Sequence, residues 1–333
     1  MRPPAIRGVP LRTRVVILAC ALSGALGLVA PASASQLIAR NASNIKLAVN
    51  AKGTAMVTYS VRGKVTHLLA WGAVNARPRP ASPKVKQMKL KLDYSGGWKH
   101  RRLVWKTFKD GCQPYDGPEL SWLVAACKAP NGSYWALQTW QTALPNLGMA
   151  PWLAKQKTWW LHLAHWTGDL PKLEVYTDWV YSGRFQEVFG RYTYKGVGVR
   201  GFGTTKYGDP TDGYGRLLYL DTYNSSYGLG WLRENSFVPH GPPGMFCYGF
   251  FPHNPYVGGY AHPPGIPNRK RGPGTGEMYR ITVEGPGVTP DVMWQGSGLH
   301  PYNPSNPADV DLEHQMNGTL DSIRGSWSKC RKH

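Results

Sequence analysis

LEVYTDWVY at residues 173–181 and GRLLYLDTY at residues 215–223 alternate bulky apolar side chains with polar ones at a period of two. That period sends successive side chains to opposite faces of an extended chain, so both runs read as β-strands and not as helices. They lie inside the stretch 159–237, which holds 18 of the 40 Phe, Trp and Tyr residues in 79 of the 333 positions. Aromatic residues at that density on strands predict a packed β core, with a ringed binding face as its functional counterpart.

Working toward the N-terminus, residues 44–76 read as a three-stranded meander with strands at 45–49, 54–61 and 64–74. Its turns are Asn50-Ala51-Lys52-Gly53 and Arg62-Gly63, where glycine accepts a positive φ without steric cost. A spacer, RPRPASPK at 77–84, precedes an alternating run at 88–94 that predicts Met88, Leu90, Leu92 and Tyr94 packed and Lys89, Lys91 and Asp93 wet. Pro130-Asn131-Gly132 marks a hairpin between 121–127 and 133–140.

Toward the C-terminus, 239–276 is rich in Gly and Pro and reads as largely irregular, with one strand at 245–251; further strands follow at 277–284 and 291–295. Asn306 and Pro307 start a helix whose apolar stripe is Leu312, Met316, Leu320 and Ile323, expected to dock on a sheet edge. The fold class is therefore mainly β, an antiparallel sandwich or barrel-like sheets with a C-terminal α-helix, in a single large domain spanning 35–333.

Residues 1–34 read as a secretory signal peptide: Arg2, Arg7, Arg12 and Arg14, then a mostly apolar stretch at 15–29, then Ala32-Ser33-Ala34 as a small-residue cleavage site before Ser35. A lipoprotein signal ending at Cys20 would leave an apolar core of only five residues. No later run reaches the roughly 18 apolar residues of a membrane span. The expected destination is the outside of the cell, in the medium or on the wall.

Removing those residues takes four arginines and no acidic residue, so the formal charge falls from +20 to +16. A balance that basic favours polyanions, and the partner expected is an anionic or carbohydrate polymer of the cell surface, ahead of nucleic acid. Cys112, Cys127, Cys247 and Cys330 remain, which in an exported chain reads as two disulfides; of the three possible pairings, the short hairpin-sized loop between Cys112 and Cys127 favours that pair, leaving Cys247 with Cys330.

Two regions offer binding chemistry. Between Lys84 and Lys109, nine Lys or Arg residues and one acidic residue, Asp93, are interleaved with Tyr94, Trp98, Trp105 and Phe108, a composition that suits an anionic, stackable ligand and that strand alternation also generates. In the aromatic stretch, a strand at 159–166 carries Trp160, His162 and Trp166 on one face, and Tyr176 and Arg184 complete the ligand-binding set. His162 and His165, with Asp169 beyond, sit three apart and fall on opposite faces of a strand, so no metal site is expected.

For catalysis, Glu174 and Asp178 share a strand face but stand roughly 13 Å apart along the backbone, too far for a glycosidase pair. Either can pair with Glu187, Asp221 or Glu234 from a neighbouring strand, which keeps a carboxylate-dependent hydrolase of extracellular polysaccharide as the alternative function. GxSxG, GxxxxGK[ST] and HExxH motifs are absent, SxxK occurs without its companions, and the glycines of GVGVRGFG at 196–203 lack a helix entry, so no cofactor is expected.

The phrases HWTGDLPKLEVYTDWVYSGRFQEVFGRYTYKG at 165–196 and YGRLLYLDTYNSSYGLGWLRENSF at 214–237 resemble a group of uncharacterised secreted proteins of high-GC Gram-positive bacteria. The resemblance implies export and a bacterial surface or medium. It carries no activity and gives no residue a role.

Overall fold

The computed structural model describes residues 35–74, 89–98, 104–145, 157–194, 196–198, 203–204, 210–211, 218–225, 228–234, 244–250, 253–254, 259–260, 275–283 and 288–325. The leader at 1–34, the spacer at 77–84, Cys330 and most of 239–276 lie outside them. The chain is mainly β, with sandwich-like packing and one C-terminal helix, as its period-two runs predict.

Sheet I is the predicted meander with one strand added: β2 (Ser43–Val49), β3 (Ala55–Val61), β4 (Lys64–Gly72) and β5 (Leu90–Asp93), in sequential antiparallel order. Arg62 and Gly63 both take positive φ (51° and 78°) in the two-residue turn between β3 and β4, a twist that matches the flanking strands. Sheet II runs β1 (Gln36–Arg40), β9 (Trp159–Trp166), β7 (Tyr134–Gln141), β6 (Leu123–Lys128). Val57, Leu68, Ala70 and Leu90 from the first sheet pack on Trp135, Leu137, Leu161 and Leu163 from the second, forming one core.

The second half repeats the layering. Sheet III runs β21 (Val292–Ser297), β20 (Met278–Val283), β15 (Leu218–Ser225), β16 (Gly228–Glu234), β8 (Leu144–Pro145), the last pair parallel. Sheet IV joins β10 (Lys172–Val180) to β11 (Phe185–Tyr194), which pairs with β12 (Val197–Gly198) and β17 (Met245–Phe250). Leu218, Leu220, Tyr279 and Ile281 meet Val188, Tyr192, Phe246 and Phe250 between them. Two small ladders, β13 (Gly203–Thr204) with β14 (Pro210–Thr211) and β18 (His253–Asn254) with β19 (Gly259–Tyr260), complete the strands.

Helix α1 (Pro307–Arg324) starts as its sequence signals, with the Asn306 side chain accepting from the Ala308 N–H and Pro307 in the first turn. It does not dock on a sheet edge. Met316, Leu320 and Ile323 pack on Phe189, Met245 and Cys247, with Leu312 and Tyr176 alongside, so the helix covers the outer face of sheet IV. The face rather than the edge is chosen because alternation along β10, β11 and β17 leaves an apolar surface there that must be removed from water.

Cys112 and Cys127 form the expected disulfide, with Cα atoms 5.5 Å apart. Cys247 is disulfide-bonded as well. Among the described residues no helix is long and apolar enough to cross a membrane.

Candidate functional site

The aromatic face of β9 is core. His162 and Trp166 are buried and Trp160 is half-buried. Trp166 is packed among Tyr115, Tyr134, Leu120 and Ala164, and His162 stacks on Trp140 with centroids 4.2 Å apart. Burial pushes the His162 imidazole down to about 3, so it is neutral. Sugar rings cannot reach this face, because the 115–120 segment and sheet III cover it.

His165 points to the opposite side of the strand, as alternation requires. Its Nδ1 lies 2.8 Å from the Ala73 carbonyl and its Nε2 2.8 Å from the Ser133 hydroxyl, while its ring stacks on Trp135. No three His, Cys, Asp or Glu side chains among the described residues are arranged to hold a metal ion.

Sheet IV separates the remaining ligand candidates. Tyr176 packs on Phe189 under α1, and Arg184 is exposed at the β10–β11 hairpin tip, its guanidinium 5.2 Å from the Phe185 ring. Tyr181 and Ser182 take positive φ in that tip, and Gly183 leaves the room that the Tyr302 ring fills.

The carboxylates are likewise dispersed. Glu174 lines an open cleft of about 970 Å³ together with Lys172, Glu119 and Asp169, but it is bonded to Arg191 at 2.8 Å. Asp178 and Glu187 are direct partners across β10 and β11, close enough to interact, yet both are buried. Burial pushes Asp178 up to about 7 and, with repulsion from Asp178 added, Glu187 up to about 8. Asp221 is fully buried, which alone would raise its pKa; Arg233 and Arg280 outweigh that and hold it below the ordinary carboxylate range. It accepts from Arg280 at 2.6 and 2.9 Å and from Arg233 at 2.9 Å, a structural ion cluster. The Glu234 side chain lies outside the described residues. The close pair is thus buried and the cleft carboxylate is ion-paired.

What the fold leaves exposed is the basic and aromatic segment after β4. On the outer face of sheet I, Lys91 is in register with Trp71 and Asp93 with Leu69. Asp93 is not wet: it accepts from the Ser95 N–H at 2.9 Å, the Ser95 hydroxyl at 2.5 Å and the Gly97 N–H at 3.1 Å. These bonds turn the chain sharply, and Gly96, at φ 60°, passes close against His67 and Trp105 where a Cβ would crowd both. Trp105 then lies flat on His67, centroids 4.5 Å apart and planes 7° from parallel, with Lys106 Nζ 5.3 Å above its ring.

Exposure decides the matter. Tyr94 is 49%, Trp98 66% and Trp105 39% exposed, while Lys89, Lys91, Lys106 and Lys109 are all exposed around them. The acidic residue of the segment, Asp93, is occupied by the turn, and the next, Asp110, accepts from the Val49 and Cys112 N–H groups. The result is a cationic surface with three large rings open to solvent, in which Asp93 is buried in its turn and Asp110, itself exposed, accepts from backbone amides through Oδ1. Alternation over 88–94 places Tyr94 on the packed face, but it is 49% exposed; the pair Gly96-Gly97 is the signal that alternation stops, since glycine there breaks the strand.

No protein-family model, curated protein or solved structure matches the chain.

Proposed function

We propose that this is an exported protein that binds an anionic or carbohydrate polymer at the cell surface, and that the surface built from Tyr94, Trp98, Trp105, Lys89, Lys91 and Lys106 is where it does so. The observation that carries the reading is the pairing of exposed rings with exposed lysines: Trp98 is 66% exposed, Lys89, Lys91 and Lys106 are exposed, and Asp93, the acidic residue among them, is buried in a turn of backbone amides. Monomeric proteins hide most large rings, and a solvent-facing cluster among lysines is suited to stack on sugar or base faces while neutralising acidic groups. The formal charge of +16 that remains once residues 1–34 are removed adds long-range attraction to any polyanion. The hydrolase alternative has less behind it, because Asp178 and Glu187 are covered by structure and Glu174 is held by Arg191.

Retention on immobilised heparin, as a sulfated polysaccharide probe, and on purified bacterial wall material tests the proposal. Expected is binding that weakens steeply with salt and drops at least tenfold in Trp98→Ala/Trp105→Ala. Salt-indifferent failure to bind both materials would sink it, and retention on single-stranded DNA alone would replace the polysaccharide with nucleic acid.

A further inference from the structure

Ser35, the first described residue, is fully buried at the place where sheets II and III meet. Its hydroxyl is 2.8 Å from His162 Nδ1, and its backbone N–H donates to Asp291 Oδ1 at 3.3 Å. Asp291 is fixed by Gln138, whose side-chain oxygen accepts from the Asp291 N–H and whose Nε2 donates to the Asp291 carbonyl, both at 3.2 Å. The other carboxylate oxygen, Oδ2, is buried without a hydrogen-bond partner among the described residues, and so is His162 Nε2.

A carboxylate withdrawn from water and met only by uncharged donors of Ser35, with Oδ2 left unbonded, is under-satisfied, and burial pushes Asp291 up to about 7. Arg233 acts on both Asp291 and His162, and Arg40 on His162, but Arg233 is bonded to Asp221. No hydrogen bond from a cation reaches Asp291 Oδ2 among the described residues, and the Ser35 nitrogen, 3.3 Å from Oδ1, is an atom that can become a cation with several N–H donors.

We propose that hydrolysis of the Ala34–Ser35 bond is a folding step as well as a processing step: the α-ammonium it creates on Ser35 remains in this polar layer and forms a buried ion pair with Asp291. Water adds across the amide, leaving a carboxylate on Ala34 and an amine on Ser35 that carries three protons at neutral pH. The water-using partner is a protease of the export machinery that accepts small residues such as Ala32 and Ala34. It cuts the unfolded chain, and the new end is enclosed as the sheets close. Before the cut the Ser35 nitrogen offers Asp291 one neutral donor; after it, three donors and a charge, enough to reach Oδ2.

The test compares a chain beginning at Ser35 with one retaining Ala34, each with and without Asp291→Asn. The Ser35 chain should melt at least about 5 °C above the Ala34 chain. Asp291→Asn should erase the gap by lowering the Ser35 chain alone. Equal melting of the two starts, or an equal loss in both on Asp291→Asn, overturns the proposal. Should the Ala34 chain fail to fold, amine-reactive labelling of the Ser35 chain decides: its α-amine is expected to be shielded until the protein is denatured, and native labelling at the denatured rate overturns it. N-terminal sequencing of exported protein must find Ser35 first; another start overturns it too. None of these outcomes depends on polymer binding.

Discussion

The strands β9 to β11 and the segment from Lys89 to Lys109 are written in the same letters, Trp and Tyr spaced among polar and charged residues, and the fold treats them in opposite ways. Trp166 is buried completely and Trp98 is 66% exposed. The difference lies in what flanks the rings. β9 lies between β1 and β7 and reads WWLHLAHW, a nearly continuous apolar run whose last six residues are buried on both faces. After β5 the alternation lasts four residues, on a sheet edge, and ends in a turn held by Asp93. Aromatic density therefore marks a core where strands are long and central, and a candidate site where the strand is cut short.

That contrast breaks most visibly on alanine substitution. Trp166→Ala should cost about 3–5 kcal/mol of stability and leave polymer affinity of the folded protein unchanged, whereas Trp98→Ala should change stability by no more than about 0.5 kcal/mol and weaken binding. Chemical denaturation paired with a binding assay reads both, and a large stability loss at Trp98 would erase the distinction.

The exposed segment is tied down just beyond its end, where Asp110 caps Val49 and Cys112 is bridged to the buried Cys127. Replacing both cysteines by serine opens a loop with a sequence separation of 15 and should cost about 3 kcal/mol. If the segment's order depends on this anchor, polymer binding falls with it, and unchanged binding would show that the rings are held by the Trp105–His67 stack alone.

Within the buried region, Asp178 and Glu187 give stability a pH dependence. Their pKa values are raised on folding, so the folded state holds protons that the unfolded chain gives up above the ordinary carboxylate range; stability is greatest at low pH and falls as pH rises toward about 7 to 8. Glu187→Gln has nothing to ionise and should gain about 2 kcal/mol over the unaltered chain at pH 8, with little gain at pH 4. Urea melts across that range check the sign. The smallest effect belongs to the rim: Lys91→Ala or Lys106→Ala should each weaken polymer binding about two- to fivefold at low salt and less at high salt, with no change in melting.

Much of the fold was legible because it is written locally. Gly at residues 53, 63 and 132, the alternation of 173–181 and the Asn306-Pro307 start all act within a few residues, and the strands and helix stand where they predict. The location of a site was not, because burial depends on which sheet covers which face. Trp160, His162 and Trp166 share a face in sequence as in structure, but only the approach of Asp291, Arg233 and the 115–120 segment makes that face an interior. The Asp178 and Glu187 register, likewise, needs the β10–β11 hairpin to close at Val180 and Phe185.

The shortness of β5 has a consequence for crowding. A protein gathered on a polymer reaches high local density, and an open sheet edge there would invite strand-to-strand aggregation. Here the edge strand offers four residues, is flanked by exposed Lys89 and Lys91, and is bent away by the Asp93 turn. At this edge a neighbouring chain finds too little backbone to pair with and meets like charge on approach, so copies crowded by the proposed binding would not be joined through β5.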